Sequence, residues 1–180
     1  LPDSGGEDHR LERAQQELTL QLSLGKALMW NLPGPEMENA YTRARELCRQ
    51  TGQTAQLCQV VGHMAVLHYV RAEHQQAREL GEEALRLAQQ VQDPILVMLG
   101  HWHLGFIFFG LGEFTTAQTH LRQVISCYEP QQHHRLFVSL RGSDAGVSAL
   151  AYDACCLWCL GYPEQALQRS RESLALAQDL

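Results

Sequence analysis

The sequence predicts an all-α protein, an α-solenoid of about four helix pairs, on three observations. First, one device recurs: Glu73-His74-Gln75-Gln76-Ala77, Glu113-Phe114-Thr115-Thr116-Ala117 and Tyr162-Pro163-Glu164-Gln165-Ala166 each follow a small or flexible residue (Ala72, Gly112, Gly161). Glu36-Met37-Glu38-Asn39-Ala40 is a fainter copy, and the marker alanines 40, 77, 117 and 166 lie 37, 40 and 49 residues apart. Second, an apolar helical stretch precedes each copy and a polar, charged one follows it. Third, almost nothing alternates in the manner of a strand.

The elements follow in order. Residues 1–8 are polar and acidic and are expected to be disordered. The pairs then read 9–31 with 36–51, 54–71 with 73–91, 94–111 with 113–128, and 146–160 with 162–179, so the units span about 9–51, 54–91, 94–128 and 146–179. Asp93-Pro94 supplies an N-cap with proline at the first helical position, and Thr54 and Asp144 are weaker candidates for capping. Gly52, Gly112 and Gly161 fall where helices end, consistent with a left-handed cap. Residues 129–145, rich in His, Arg and Ser, form a long connection that is expected to be mobile. The run 94–112 is 19 residues without a formal charge, close to membrane-spanning length. Its two histidines, four glycines, leading proline and lack of closely flanking Lys or Arg fit a buried helix better.

Composition narrows the function classes. The chain has 180 residues, 14 Lys+Arg against 20 Asp+Glu, a formal net charge of −6 and 45% hydrophobic residues. That is too apolar for disorder and carries no basic run for phosphate backbones or anionic membranes. Six cysteines are too sparse for a disulfide scaffold. With no Asn-x-Ser/Thr sequon and a polar, acidic start unlike a signal peptide, the expected setting is a reducing cytoplasm. The chain has no initiator Met and stops inside a helical pattern, so it is expected to be a piece of something longer.

Catalytic patterns are not found. Gly25-Lys26 lacks the upstream glycine and the following Ser or Thr of a phosphate loop. Cys156-x-x-Cys159, with Cys155 beside it, has no second pair to complete a zinc tetrahedron and lies in an apolar helical run, which favours buried thiols. His101 and His103 point to roughly opposite sides of a helix, His63 and His68 are five apart, and His133-His134 have no acidic pair nearby. No nucleophile elbow or His-Glu-x-x-His occurs. No enzyme, cofactor or metal is expected.

Leu104-Gly105, Phe108, Gly112, Phe114, Ala117, Leu121, Val124 and Pro130 resemble the signature of the tetratricopeptide repeat (TPR), with Gly105 and Ala117 small where the two helices of a unit cross closely. Unit two keeps Met64-Ala65, Ala72, Ala77 and Ala84 but has His68 at an aromatic place; unit four keeps Ala154, Leu157, Gly161 and Ala166 but has Asp153 at an apolar one. The spacings exceed the family's 34. The segments 40–48, 77–82, 111–114, 128–133 and 160–167 further resemble the C-terminal helical repeats of bacterial signalling proteins that join an adenylate/guanylate cyclase or kinase domain to a AAA-type ATPase. The resemblance runs from about residue 12 onward and implies a right-handed α-solenoid of about four TPR-like helix pairs.

In such arrays the first helix of each unit lines a concave groove. That register sends Leu99, Trp102, Phe106 and Phe109 to the groove, with Val66 and Tyr69 from unit two, Trp158 (beside Ala151 and Cys155) from unit four and Met29 from unit one. Two readings of this face remain: neighbouring helices cover it, or it is an open apolar groove for a helix or peptide. Arg135, Arg141 and Asp144 from the long connection either fold over one end of it or stay solvated. The expected function is a non-catalytic protein-interaction and scaffolding module, with a partner of unknown identity, contact with other domains of the parent chain, or self-association. The alternative is a small-molecule effector sensor of a STAND-type ATPase regulator, with Trp102, His103 or Arg141 supplying polar specificity. Neither nucleic acid nor membrane is an expected partner.

Overall fold

The computed structural model describes residues 4–29 and 34–180, the side chains from His9 onward and not that of Met29. Among the described residues every regular element is a helix: α1 (Ser4–Met29), α2 (Pro35–Thr51), α3 (Thr54–Val70), α4 (His74–Val91), α5 (Pro94–Gly110), α6 (Phe114–Cys127), α7 (Pro130–Arg141), α8 (Ala145–Cys159) and α9 (Pro163–Asp179). The protein is thus all-α and built from helix pairs: α1 with α2, α3 with α4, α5 with α6, and α8 with α9. None of these helices is long and apolar enough to cross a membrane. The chain forms two compact units that divide between Gln92 and Asp93. Helix α1 starts at Ser4, inside the segment 1–8 expected to be disordered; residues 1–3 lie outside the described part.

In the first unit α2 buries residues 37, 40, 41, 44, 47 and 48, and α4 buries 77, 80, 81, 84, 87 and 88. Each position has its counterpart forty residues on, and Ala117 stands forty beyond Ala77. The register expected from the marker alanines is therefore corrected in the first pair. Met37, not Ala40, is the counterpart of Ala77, because the buried stripe and not residue identity sets the repeat. The step from Ala117 to Ala166 remains 49, lengthened by α7.

Two of the pairs, α1–α2 and α5–α6, are held by a close crossing. A Cβ on Gly25 would lie 2.6 Å from the Tyr41 ring, and one on Gly105 would lie 2.7 Å from Leu121 Cδ2. In both cases the bulky partner is sixteen residues on. A glycine at the contact lets two backbones approach while one large side chain fills the gap. Around this core run ion pairs: Arg43 Nε to Glu17 at 2.6 Å, Arg45 to Glu83 at 2.8 Å and Arg71 to Glu38 at 2.5 Å.

The α3–α4 turn carries a local strain. Gly112 and Gly161 turn the corner between paired helices at φ of +78° and +86°, and Ala72 does the same job at +61°. A Cβ in the left-handed region costs roughly 1–2 kcal/mol, partly offset by the greater unfolded-state freedom of glycine. Ala72→Gly is expected to stabilise the first unit by about 0.5–1 kcal/mol in urea denaturation.

The connection 129–145 differs from expectation. It is not a mobile loop: residues 130–141 form α7, started by Pro130 at N1 and stopped by Gly142 at φ +79°. Phe137 is fully buried and anchors it.

Candidate functional site

The order of packing in the second unit defines what each face is for. Helix α8 lies against α5 and α6. Trp102 donates from Nε1 to Ser148 Oγ at 2.9 Å, Phe106 and Phe109 pack on Tyr152 at 5.5 and 5.1 Å between ring centres, and Gln118 donates to Asp153 at 2.9 Å. The α5–α6 pair therefore presents a receiving face, and α8 an incoming one.

This overturns the open-groove reading at α5. Leu99 and Trp102 are buried, and Phe106 and Phe109 are half-buried against Tyr152. The Arg141 guanidinium lies 3.3 Å above the Trp102 ring as a cation–π contact. Burial pulls the Arg141 pKa down to about 9, and Asp144 and Tyr152 pull it back up, so the group is still a cation at neutral pH. Its Nη1 donates to the Ser143 carbonyl. Asp144 caps α8 by accepting from the Val147 N–H at 2.8 Å, and its other oxygen accepts from the Tyr128 hydroxyl and from His134. Arg141 and Asp144 thus serve to hold α7 and the α8 turn against Trp102, whereas Arg135 points away from the packing and is exposed. The polar groups of Trp102 and Arg141, expected on the alternative reading to select a metabolite, are engaged by the protein itself. Val66 and Tyr69 are half-buried in the first unit, and the Met29 side chain lies outside the described residues.

Trp158 is different: it is 68% exposed. With Leu167 at 53% and Leu174 at 61% it borders an open cleft of about 500 Å³ between α8 and α9, floored by Ala151, Ala154 and Ala166. The forty-nine-residue step from α5–α6 to α8–α9 identifies this surface. Ala151, Cys155, Trp158 and Leu167 stand where Trp102, Phe106, Phe109 and Gln118 stand one pair earlier. The α8–α9 pair repeats the receiving face, uncovered. Large exposed apolar side chains are thus gathered on one cleft. The sequence singles out Trp158 but not Leu167 and Leu174, which lie on the helix assigned to a polar back and are exposed beside it; the offset from Gln118 is the available signal.

The thiols and histidines divide by burial. Only Cys156 of the 155–159 cluster is buried, where burial first and the neighbouring Asp153 second push its pKa up to about 12; Cys155 and Cys159 are exposed, against the expectation of buried thiols. A helix with one face open explains the difference. Among the described residues no group of three or more His, Cys, Asp or Glu side chains is arranged to hold a metal ion. His101 and His120 meet with Nδ1 atoms 2.9 Å apart, and His120 stacks on Phe108. Burial lowers the His101 pKa. Its folded value therefore lies below the unfolded value of about 6.5, so the folded state binds fewer protons and loses stability as pH falls through about 6.5 and onward to the lowered value. The urea midpoint of the second unit is expected to drop between pH 7.5 and 5.5, and His101→Gln is expected to shrink that drop. Compared with known proteins, the chain matches no family model, and no curated protein matches it in sequence.

Proposed function

We propose that this chain is a non-catalytic binding and scaffolding module that captures an apolar α-helix, and that it belongs to the helical repeats of a cytoplasmic bacterial signalling protein of the cyclase- or kinase-linked AAA ATPase kind. The observation that carries the binding reading is the uncovered α8–α9 face, where Trp158, Leu167 and Leu174 surround an apolar cleft on a rigid helical pair. Helix-in-groove recognition needs such a surface, with an aromatic anchor and a small-residue floor. The parent assignment is supported by the recurring helix pairs and by the segments 77–82, 111–114 and 160–167.

The test is a labelled amphipathic Leu/Lys helical peptide titrated by fluorescence anisotropy. Leu167→Glu and Trp158→Ala are each expected to weaken its binding about tenfold or more, with far-UV circular dichroism unchanged, because both residues face solvent. Equal affinity for wild type and both variants would remove this face as the site.

A further inference from the structure

The repeat register identifies a second uncovered surface, on α1, and it is the counterpart of the first. Gly25, Ala65, Gly105 and Ala154 occupy the same crossing position in α1, α3, α5 and α8, at steps of forty, forty and forty-nine. The incoming face of α8 is built around Ala149 and Asp153, both fully buried. Their counterparts in α3 are Val60 and Met64, also buried, as α3 packs on α2. Their counterparts in α1 are Leu20 and Leu24, and these are 69% and 46% exposed. Among the described residues, nothing covers the incoming face of α1 or the receiving face of α8–α9.

The two faces also match in chemistry. Inside the second unit the receiving face offers Gln118 and the incoming helix answers with Asp153, a buried polar pair at 2.9 Å. On the uncovered faces both members are replaced together: Gln118 by Leu167, Asp153 by Leu24. Either change alone would leave a buried polar group without its partner, whereas the joint change makes an apolar contact. Bulk is exchanged as well. The receiving face shrinks from Trp102 to Ala151, which opens the cleft, and the incoming stripe grows from Ala149 to Leu20.

We infer that α1 of one copy docks on the α8–α9 face of a second copy, so that the chain associates with itself head to tail. This rests on the reading of α8–α9 as a helix-receiving face and names its occupant. Such an interface is heterologous: the dimer keeps one free face of each kind, one on either copy, so growth continues past the dimer.

Sedimentation velocity of the full chain, with and without the Leu/Lys peptide, tests this. The wild type is expected to exceed twice its 20.3 kDa monomer mass as concentration rises. Leu24→Glu spoils the incoming face alone and Leu167→Glu the receiving face alone. Each variant is expected to stay monomeric, and an equimolar mixture to give a dimer and nothing larger, since one good face remains on each partner. A wild type that is monomeric throughout overturns the inference, as does dimerisation of either variant alone or a monomeric mixture. If the wild type is monomeric yet the peptide binds in a Leu167-dependent way, self-docking fails while the helix-binding reading stands. If neither association nor peptide binding occurs, both fail.

Discussion

Asp153→Ala is expected to destabilise the second unit by about 3 kcal/mol in urea denaturation. Asp153 is fully buried at a place where the repeat calls for an apolar residue. Its carboxylate accepts from Gln118 Nε2 of α6 at 2.9 Å and pairs with Arg169 Nε of α9 at 2.9 Å and, more loosely, with Arg122 Nε of α6 at 3.6 Å. One side chain thus ties three helices. Arg169 and Arg122 are partly exposed and turn to water when the acid is removed, so their loss is mild. Gln118 is buried and its amide is left without its acceptor, which accounts for most of the cost. Asp153→Asn keeps an acceptor for Gln118 and loses only the charge pairs, so about 1–2 kcal/mol is expected. The decisive comparison is Asp153→Leu with Gln118→Leu, the substitution pair that Leu24 and Leu167 already represent. Each single change is expected to be costly and the double change to recover most of the loss, because no polar group is then buried alone. Additive losses would show that the carboxylate stabilises through its arginines instead.

The distinction between what sequence showed and what it hid follows from which residues carry local signals. Asp93-Pro94 announces α5 because capping is local: its carboxylate accepts from the N–H groups of Ile95 and Leu96. The turns at Gly52, Gly112 and Gly161 are equally local. Helix α7 carried the same punctuation, Glu129-Pro130 at its start and Gly142 at its end, but only Phe137 is buried along it. Its polar composition masks a helix with a single buried side chain. Whether an apolar face is open is not a local property at all. Trp102 and Trp158 fall on the same side of their helices, yet one is covered by Ser148 of the next pair and Arg141 of α7 and the other is 68% exposed. The first-pair register failed for a related reason. Alanine marks the repeat in the later pairs, whereas in the first pair the buried Met37 holds that register place and Gly25 meets Tyr41.

That exchange of volumes yields the last prediction. Gly105→Ala is expected to destabilise the second unit by about 2 kcal/mol although alanine is the better helix former. The new Cβ would sit 2.7 Å from Leu121 Cδ2 and 2.8 Å from Cγ, with the Leu121 backbone nitrogen only 3.4 Å away. Leu121 is fully buried, so neither its branch nor its helix has free space to retreat into. Leu121→Ala alone is expected to cost about 2–5 kcal/mol by leaving a cavity at the crossing. In that background the sign of the first substitution should reverse. The methyl of Gly105→Ala then enters vacated space, and the helix gains the roughly 1 kcal/mol separating glycine from alanine. The double variant is therefore expected to be more stable than Leu121→Ala by about 1 kcal/mol, a coupling of about 3 kcal/mol across the cycle. The α3–α4 pair has the corresponding combination, Ala65 with Gly81, both buried. If Gly105→Ala costs the same with and without the Leu121 side chain, the crossing is not the contact that fixes the distance between paired helices, and the small residues at 25, 65, 105 and 154 lose their common explanation.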